Sequence, residues 1–268
     1  MSRLANTFER LRAQRRVALM PYLCIGHPTP DAVLDIVPRA EAAGADLFEL
    51  GVPFSDPLAD GATIQAATQR ALEQGASLDV CLSQARALRE RGVQAPFTFM
   101  GYYNPMYQRG LDRFCGQAAD AGVDGLIVPD LPPEEAHDLA QAARQHSVDL
   151  VFLLAPTSTD ARVRLVCQQA SGFLYLVSLV GVTGARDSLP PDLERFVERV
   201  RAQTSLPLAV GFGIGDPVQA GRVARIADGV IVGSAVVRVA DRAQDPPAEV
   251  AAFIGQLRAG IDQVSVPL

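Results

Sequence analysis

The 268-residue sequence contains no lysine; all 24 of its basic residues are arginine. A carbonyl substrate can be activated as a Schiff base only by an amine, so lysine-dependent carbon–carbon cleavage is excluded, and covalent attachment of pyridoxal phosphate with it. Metal and disulfide signals are equally thin. The four cysteines (Cys24, Cys81, Cys115, Cys167) form no CxxC pair, and His27, His137 and His146 are scattered. That spacing predicts free thiols, no metal site, no cofactor and no Ser-His-Asp arrangement. Gly211-Phe212-Gly213 does not extend into a dinucleotide fingerprint. The longest apolar stretch, Phe173 to Val182, is too short to cross a bilayer and includes Ser178 and Gly181. The opening residues lack the charged-then-apolar order of a secretory signal, so a soluble, cytoplasmic protein is expected. A formal net charge of −6 argues against nucleic-acid binding, which normally needs a basic face.

What is present is a regular alternation of short β-like runs with longer amphipathic stretches, the pattern of a parallel sheet with helical crossovers. Strands are predicted at Val17–Ile25, Asp46–Leu50, Pro96–Met100, Asp124–Val128, Asp149–Leu153, Phe173–Val177, Leu206–Gly211 and Gly229–Val232. Eight strands in a chain of this length predict one α/β domain over residues 1–268, a (β/α)8 TIM barrel. An extra N-terminal helix, Leu4–Arg15, is expected to plug the barrel bottom. Helices are also predicted at Asp31–Ala43 and Pro133–Gln145, with two pieces between Thr63 and Arg91 broken at Gly75. A weak repeat accompanies them: Ala43-Gly44-Ala45-Asp46, Ala121-Gly122-Val123-Asp124, Ser147-Val148-Asp149 and Ile226-Ala227-Asp228 each join a helical run to a strand.

In such a barrel the reacting groups come from the C-terminal ends of the strands. In Leu47-Phe48-Glu49-Leu50-Gly51 the side chains alternate, so Phe48 and Leu50 suit the helix side and Glu49 points into the barrel. A carboxylate there is costly unless paired, and burial raises its pKa toward the range of a general acid or base. The alternative is an internal ion pair with an arginine. The loop that follows, Val52 to Gly61, holds Asp56 and Asp60; it is either a surface connector or a carrier of a second carboxylate, with Asp60 folded over the mouth and Asp56 facing outward. Glycine-bearing turns follow the last three strands at Gly181–Ala185, Gly211–Gly215 and Gly233–Ala235. They offer bare backbone N–H groups, and the last two lead toward helix N-termini, a way to hold phosphate without lysine. Plain turn chemistry is the competing explanation.

The stretches Phe48 to Gly61, Tyr103-Asn104-Pro105, Pro129-Asp130-Leu131-Pro132, Ala155-Pro156-Thr157-Ser158, Gly181-Val182-Thr183-Gly184, Gly211-Phe212-Gly213-Ile214 and Val232-Gly233-Ser234-Ala235 resemble, in order, the tryptophan synthase α subunit family. The resemblance implies retro-aldol cleavage of indole-3-glycerol phosphate to indole and D-glyceraldehyde 3-phosphate, a lyase step of L-tryptophan biosynthesis. It implies Glu49 as general acid and base, and Asp60 as the carboxylate that hydrogen-bonds the indole N–H, in a more polar setting than that of Glu49. It implies phosphate contacts from Gly184, Gly213, Gly233 and Ser234, and an indole pocket lined by Tyr22, Met100, Tyr175, Thr183 and Phe212. It further implies an α2β2 heterotetramer with a β subunit met by the loop around Asp56 and Pro57 and by the Asn104-Pro105 loop. Val182–Leu189 would form a lid. A stand-alone lyase and a non-catalytic regulatory barrel are the alternatives.

Overall fold

Alternation of side chains along each strand builds two apolar layers. The computed structural model describes residues 2–177, 192–211 and 213–263. Eight parallel strands pair in sequence order and close on themselves: β1 (Ala18–Cys24), β2 (Phe48–Gly51), β3 (Phe97–Met100), β4 (Gly125–Ile127), β5 (Asp149–Leu154), β6 (Leu174–Val177), β7 (Leu208–Gly211) and β8 (Gly229–Val232). Leu19, Leu23, Phe48, Leu50, Phe97, Phe99 and their equivalents face the helices. Ala18, Met20, Tyr22, Leu47, Met100, Ile127, Val151, Tyr175, Ala209 and Ile231 fill the interior. The expected TIM barrel is the observed fold.

Among the described residues the helices are α1 (Arg3–Ala13), α2 (Ala32–Ala42), α3 (Ala62–Glu73), α4 (Leu78–Glu90), α5 (Tyr103–Arg109) and α6 (Leu111–Asp120). They continue as α7 (His137–Gln145), α8 (Asp160–Gln169), α9 (Leu193–Arg201), α10 (Pro217–Ala224), α11 (Ser234–Arg242) and α12 (Pro246–Asp262). None is long and apolar enough to cross a membrane. The break at Gly75 is real: this residue has φ +88° between α3 and α4. Most element ends shift by one or two residues from the sequence expectation, and three differences have a clear cause or consequence. β7 starts at Leu208, after Pro207, which has no N–H to donate to a ladder. Pro133–Glu135 is a 3-10 turn, and α7 proper begins at His137. Asn104 and Pro105 lie in the first turn of α5, not in a loop; a proline fits there because the first N–H groups of a helix have no internal acceptor.

Helix α1 occupies the end of the barrel where the strands begin. Its Leu4, Phe8 and Leu11 join the interior cluster, and the Phe8 and Phe173 rings meet at 5.8 Å. Gly125 and Gly172 leave the room Leu4 takes, since a Cβ on either would stand 3.0–3.2 Å from its Cδ1.

The weak repeat has a physical content at this same end. Asp46, Asp124 and Asp228 each accept a hydrogen bond from the N–H that opens a neighbouring strand or lies within it: Leu19 at 3.0 Å, Phe97 at 2.9 Å and Leu208 at 2.8 Å. Each also pairs with an arginine: Arg258 at 3.1 Å, Arg89 at 2.7 Å, and Arg201. Gly44 and Gly122 adopt φ +109° and +83°, and the Arg258 and Arg89 stems lie so close that a Cβ would meet them at 2.8 and 2.6 Å. Glycine is required twice over, by conformation and by contact. Asp149, the fourth member, keeps a buried Oδ2 with no hydrogen-bond partner among the described residues.

Candidate active site

The barrel interior is apolar along most of its depth and becomes chemical at the top. Glu49 sits in β2 with its Cα opposite Tyr22 of β1, and its neighbours Phe48 and Leu50 face outward as the alternation requires. Only 1% of Glu49 is exposed, and its Oε1 has no hydrogen-bond partner among the described residues. No arginine among the described residues pairs with it. Burial, and secondarily the nearby Asp60 charge, raise its pKa to about 8.

Asp60 ends the loop after β2 and is also buried, at 8% exposure. Burial raises its pKa to about 6, and a hydrogen bond from Tyr102 draws it back down. The two carboxylates therefore differ in degree: both are desolvated, and Asp60 alone has a side-chain donor that favours its charge. Asp56 is exposed, with Ser55 Oγ donating to it at 2.5 Å. Gln65 Nε2 donates to the Asp60 carbonyl at 2.8 Å and holds the loop end against α3.

Two tyrosines flank the carboxylates. Tyr22 and Tyr175 are buried in the barrel, and burial together with the Glu49 and Asp60 charges keeps both phenols protonated well above their usual range. Their rings reach over the ends of β2 and β7, where Gly51 and Gly211 have no side chain; a Cβ on either would overlap the tyrosine hydroxyl. Gly51→Ala should therefore cost about 1–3 kcal/mol of stability, the usual penalty for overpacking a filled core. A urea midpoint unchanged from the parent chain would show that Tyr22 can move aside. Met100 closes β3 on the same interior face.

The late glycine turns divide into two kinds. The turn after β7 leads to α10, whose N-terminus is already capped by the Asp216 side chain accepting from Gln219 N–H at 2.8 Å. Gly213 in that turn is exposed, with φ +78°. The turn after β8 is different. Gly233 caps α11 without a side-chain bond and Ser234 is its first helical residue, so this N-terminus presents its N–H groups and positive dipole end free of an internal carboxylate. Thr183, Gly184, Phe212 and the Val182–Leu189 segment lie outside the described residues.

Two side chains carry more than the sequence reading gave them. Tyr102, between β3 and α5, was not singled out: nothing in a Gly-Tyr-Tyr run distinguishes a loop tyrosine that bonds a carboxylate from one that packs. His27 is not a stray surface residue but buried, its Nε2 3.3 Å from Asp241 Oδ1, and Asp241 also pairs with Arg70. Burial lowers the His27 pKa against the pull of that aspartate. The cluster ties the loop after β1 to α3 and α11. His137 is exposed, and His146 reaches Asp112 at 2.9 Å.

Comparison with known proteins agrees with this geometry. The family model described as Tryptophan synthase alpha chain matches residues 8–263. The tryptophan synthase alpha chain of Chloroflexus aurantiacus is 54% identical over 263 residues, covering 97% of this chain and 99% of the relative. That of a Roseiflexus species is 55% identical over 262 residues, covering 96% and 100%. Among solved structures, tryptophan synthase subunit alpha from Legionella pneumophila superposes with a TM-score of 0.92 at 38% identity, covering 98% and 100%. A chain of Mycobacterium tuberculosis tryptophan synthase gives 0.89 at 39%, covering 97% and 98%. With a buried carboxylate at the top of an eight-stranded barrel and likeness along nearly its whole length, this chain belongs to the tryptophan synthase alpha chain family.

Proposed function

We propose that the chain is a lyase that cleaves indole-3-glycerol phosphate into indole and D-glyceraldehyde 3-phosphate, with Glu49 and Asp60 as its catalytic residues. The observation that carries this reading is Glu49: fully buried, with its Oε1 unpartnered among the described residues, and with burial raising its pKa to about 8. Indole is a poor leaving carbon until C3 bears a proton. Protonated Glu49 delivers that proton and, as carboxylate, takes one from the side-chain hydroxyl as the bond from C3 to the hydroxyl-bearing carbon breaks. Ionised Asp60 accepts from the indole N–H and offsets the positive charge that C3 protonation places on the ring. Tyr22, Met100 and Tyr175 form the described wall of the indole pocket, completed by Thr183 and Phe212. Ser234 and Gly233 at the α11 N-terminus bind the phosphate, joined by Gly213 and Gly184.

The partner is a tryptophan synthase β subunit in an α2β2 assembly. Asp56 and Pro57 on the loop after β2, and Asn104 and Pro105 in α5, form the docking rim. Leu58 at 87% exposure and Tyr107 at 58% support this choice, since they are large apolar side chains left open beside those residues. The reaction is assigned to the cytoplasm.

Indole release from indole-3-glycerol phosphate by the purified chain, alone and with the β subunit, tests the reading. Slow release strongly accelerated by the β subunit is the expected result; full activity alone points to a stand-alone lyase, and none under either condition removes the assignment. The pH dependence follows from the two carboxylates. Activity needs Asp60 ionised and Glu49 protonated, so kcat/KM should rise through about 6 and fall above about 8. A profile flat from pH 5 to 9 would be incompatible with these roles.

A further inference from the structure

Asp60 rides on a loop that has little to hold it, yet its carboxylate must meet the substrate in one orientation. The loop runs from Val52, whose N–H donates to Met100 O at 2.8 Å, to Gly61 at the start of α3. Between them the loop makes two internal backbone bonds, Leu58 N–H to Asp56 O at 2.9 Å and Asp60 N–H to Pro57 O at 3.0 Å, beside the Ser55–Asp56 side-chain bond. Gln65 of α3 holds backbone carbonyls of the loop, Nε2 donating to Pro57 O at 3.5 Å and to Asp60 O at 2.8 Å, and Tyr102 grips the loop at two further places. The Tyr102 ring stacks on Phe54, with centroids 5.3 Å apart and planes 28° from parallel. The Tyr102 hydroxyl accepts from Ala59 N–H at 3.0 Å, one residue before Asp60, and stands near enough to the Asp60 carboxylate to lower its pKa.

A phenol has one proton and two lone pairs. With Ala59 N–H occupying a lone pair, the proton remains available to the Asp60 carboxylate beside it. Tyr102 is itself well anchored. Gly101 N–H donates to Ile127 O at 3.1 Å, and Tyr103 N–H donates to both carboxylate oxygens of Asp130, at 3.0 and 3.3 Å. A chain of contacts therefore runs from Asp130, in the Pro129–Pro132 stretch, through Tyr103 and Tyr102 to Ala59, the residue before Asp60.

We propose that Tyr102 is a positioning residue: it fastens the loop after β2 to the end of β3 and aims the Asp60 carboxylate at the barrel mouth. The inference rests on the proposed role of Asp60. It goes beyond that role because it assigns the loop's geometry to a residue that touches the loop and is not required to touch the substrate.

The charged and titratable groups around Asp60 are Glu49 on β2, Tyr22 and Cys24 on β1, Tyr175 on β6 and Tyr102 after β3, with Asp130 beyond Tyr102. Of these, Tyr102 is the one whose hydrogen bond favours the Asp60 charge. Removing it must raise the Asp60 pKa, and the acidic limb of the rate profile must move up with it.

The test compares Tyr102→Phe with the parent chain, in complex with the β subunit for rates and free for titration. Tyr102→Phe keeps the ring on Phe54 and removes only the hydroxyl. Its kcat/KM should fall about fivefold at pH 6 and by less than about twofold at pH 7.5. The fall should lie mainly in kcat, with KM held by the phosphate. The 13C titration of the Asp60 carboxyl, read without substrate, should move to higher pH. A merely structural role would lower melting temperature and reduce activity equally at all pH values, and that result, or an unmoved Asp60 titration, overturns the proposal. Asp60→Asn separates the two ideas: if it retains full activity, the assigned role of Asp60 fails whatever Tyr102 does.

Discussion

Glu49→Gln should lower kcat by about 10²- to 10⁴-fold, the range in which a positioned general acid and base contributes, while leaving the chain folded. Glutamine has the size of glutamic acid and no proton to give, and Glu49 Oε1 makes no bond whose loss would confound the result. The same substitution should stabilise. Burial moves this carboxyl from its ordinary 4.5 to about 8. Between those values the folded chain holds a proton that the unfolded chain has lost, so stability falls as pH rises through that window. The accumulated loss is on the order of 5 kcal/mol by pH 8. The parent chain and Glu49→Gln should therefore have similar urea stability near pH 4 and diverge in favour of the glutamine variant up to pH 8. A variant that keeps its rate, or loses stability in parallel with the parent, would remove Glu49 from the centre of the mechanism. A group that weakens the fold where it is needed for chemistry is the expected signature of a functional carboxylate.

The second large effect lies at the opposite end of the barrel and concerns stability alone. Arg258 and Asp46 are both more than nine-tenths buried, and Arg258 also donates to Val17 O at 2.9 Å and pairs with Asp262 at 2.6 Å. Arg258→Ala strands the Asp46 carboxylate with only the Leu19 N–H and should cost about 3–5 kcal/mol, as breaking a buried pair from one side does. Adding Asp46→Asn to that variant should recover part of the loss, because the stranded charge is gone. Equal urea midpoints for the single and double variants would show that packing of the arginine stem, rather than its charge, is what the fold uses. Arg258→Lys is not a mild change at this site: a single ammonium cannot span Asp46, Val17 O and Asp262 as the planar guanidinium does.

The strand order and the inward aim of Glu49 were legible because both depend on a period of two that any strand must obey. Leu47 and Glu49 face in, Phe48 and Leu50 face out, and no tertiary detail could reverse that without exposing two large apolar side chains. Strand ends were less legible. Asp46 reads as the first residue of a strand, yet its side chain is spent on Leu19 N–H and Arg258 and the ladder opens later, at Phe48. Tyr102 and His27 were missed for a different reason. What they do depends on partners far along the chain, the loop before Asp60 for Tyr102 and Asp241 on α11 for His27, and a single sequence holds no sign of which distant residues will meet. The expectation of a more polar setting for Asp60 was only partly met, because Tyr102 supplies a donor while the surroundings remain dry.

The seating of α1 has a consequence for traffic. With Leu4, Phe8 and Leu11 lodged among the strand beginnings, the barrel is a cup stopped at its base, and its contents come and go by the rim. Asp56, Leu58 and Asn104 stand on that rim, so a protein resting there is also a valve. A substitution that tightens the fit of such a valve alters how quickly the cup fills and empties, and one that loosens it does the same. On the proposed docking, recognition of the neighbour and throughput of the chemistry would be properties of one edge, and neither could drift far without carrying the other along.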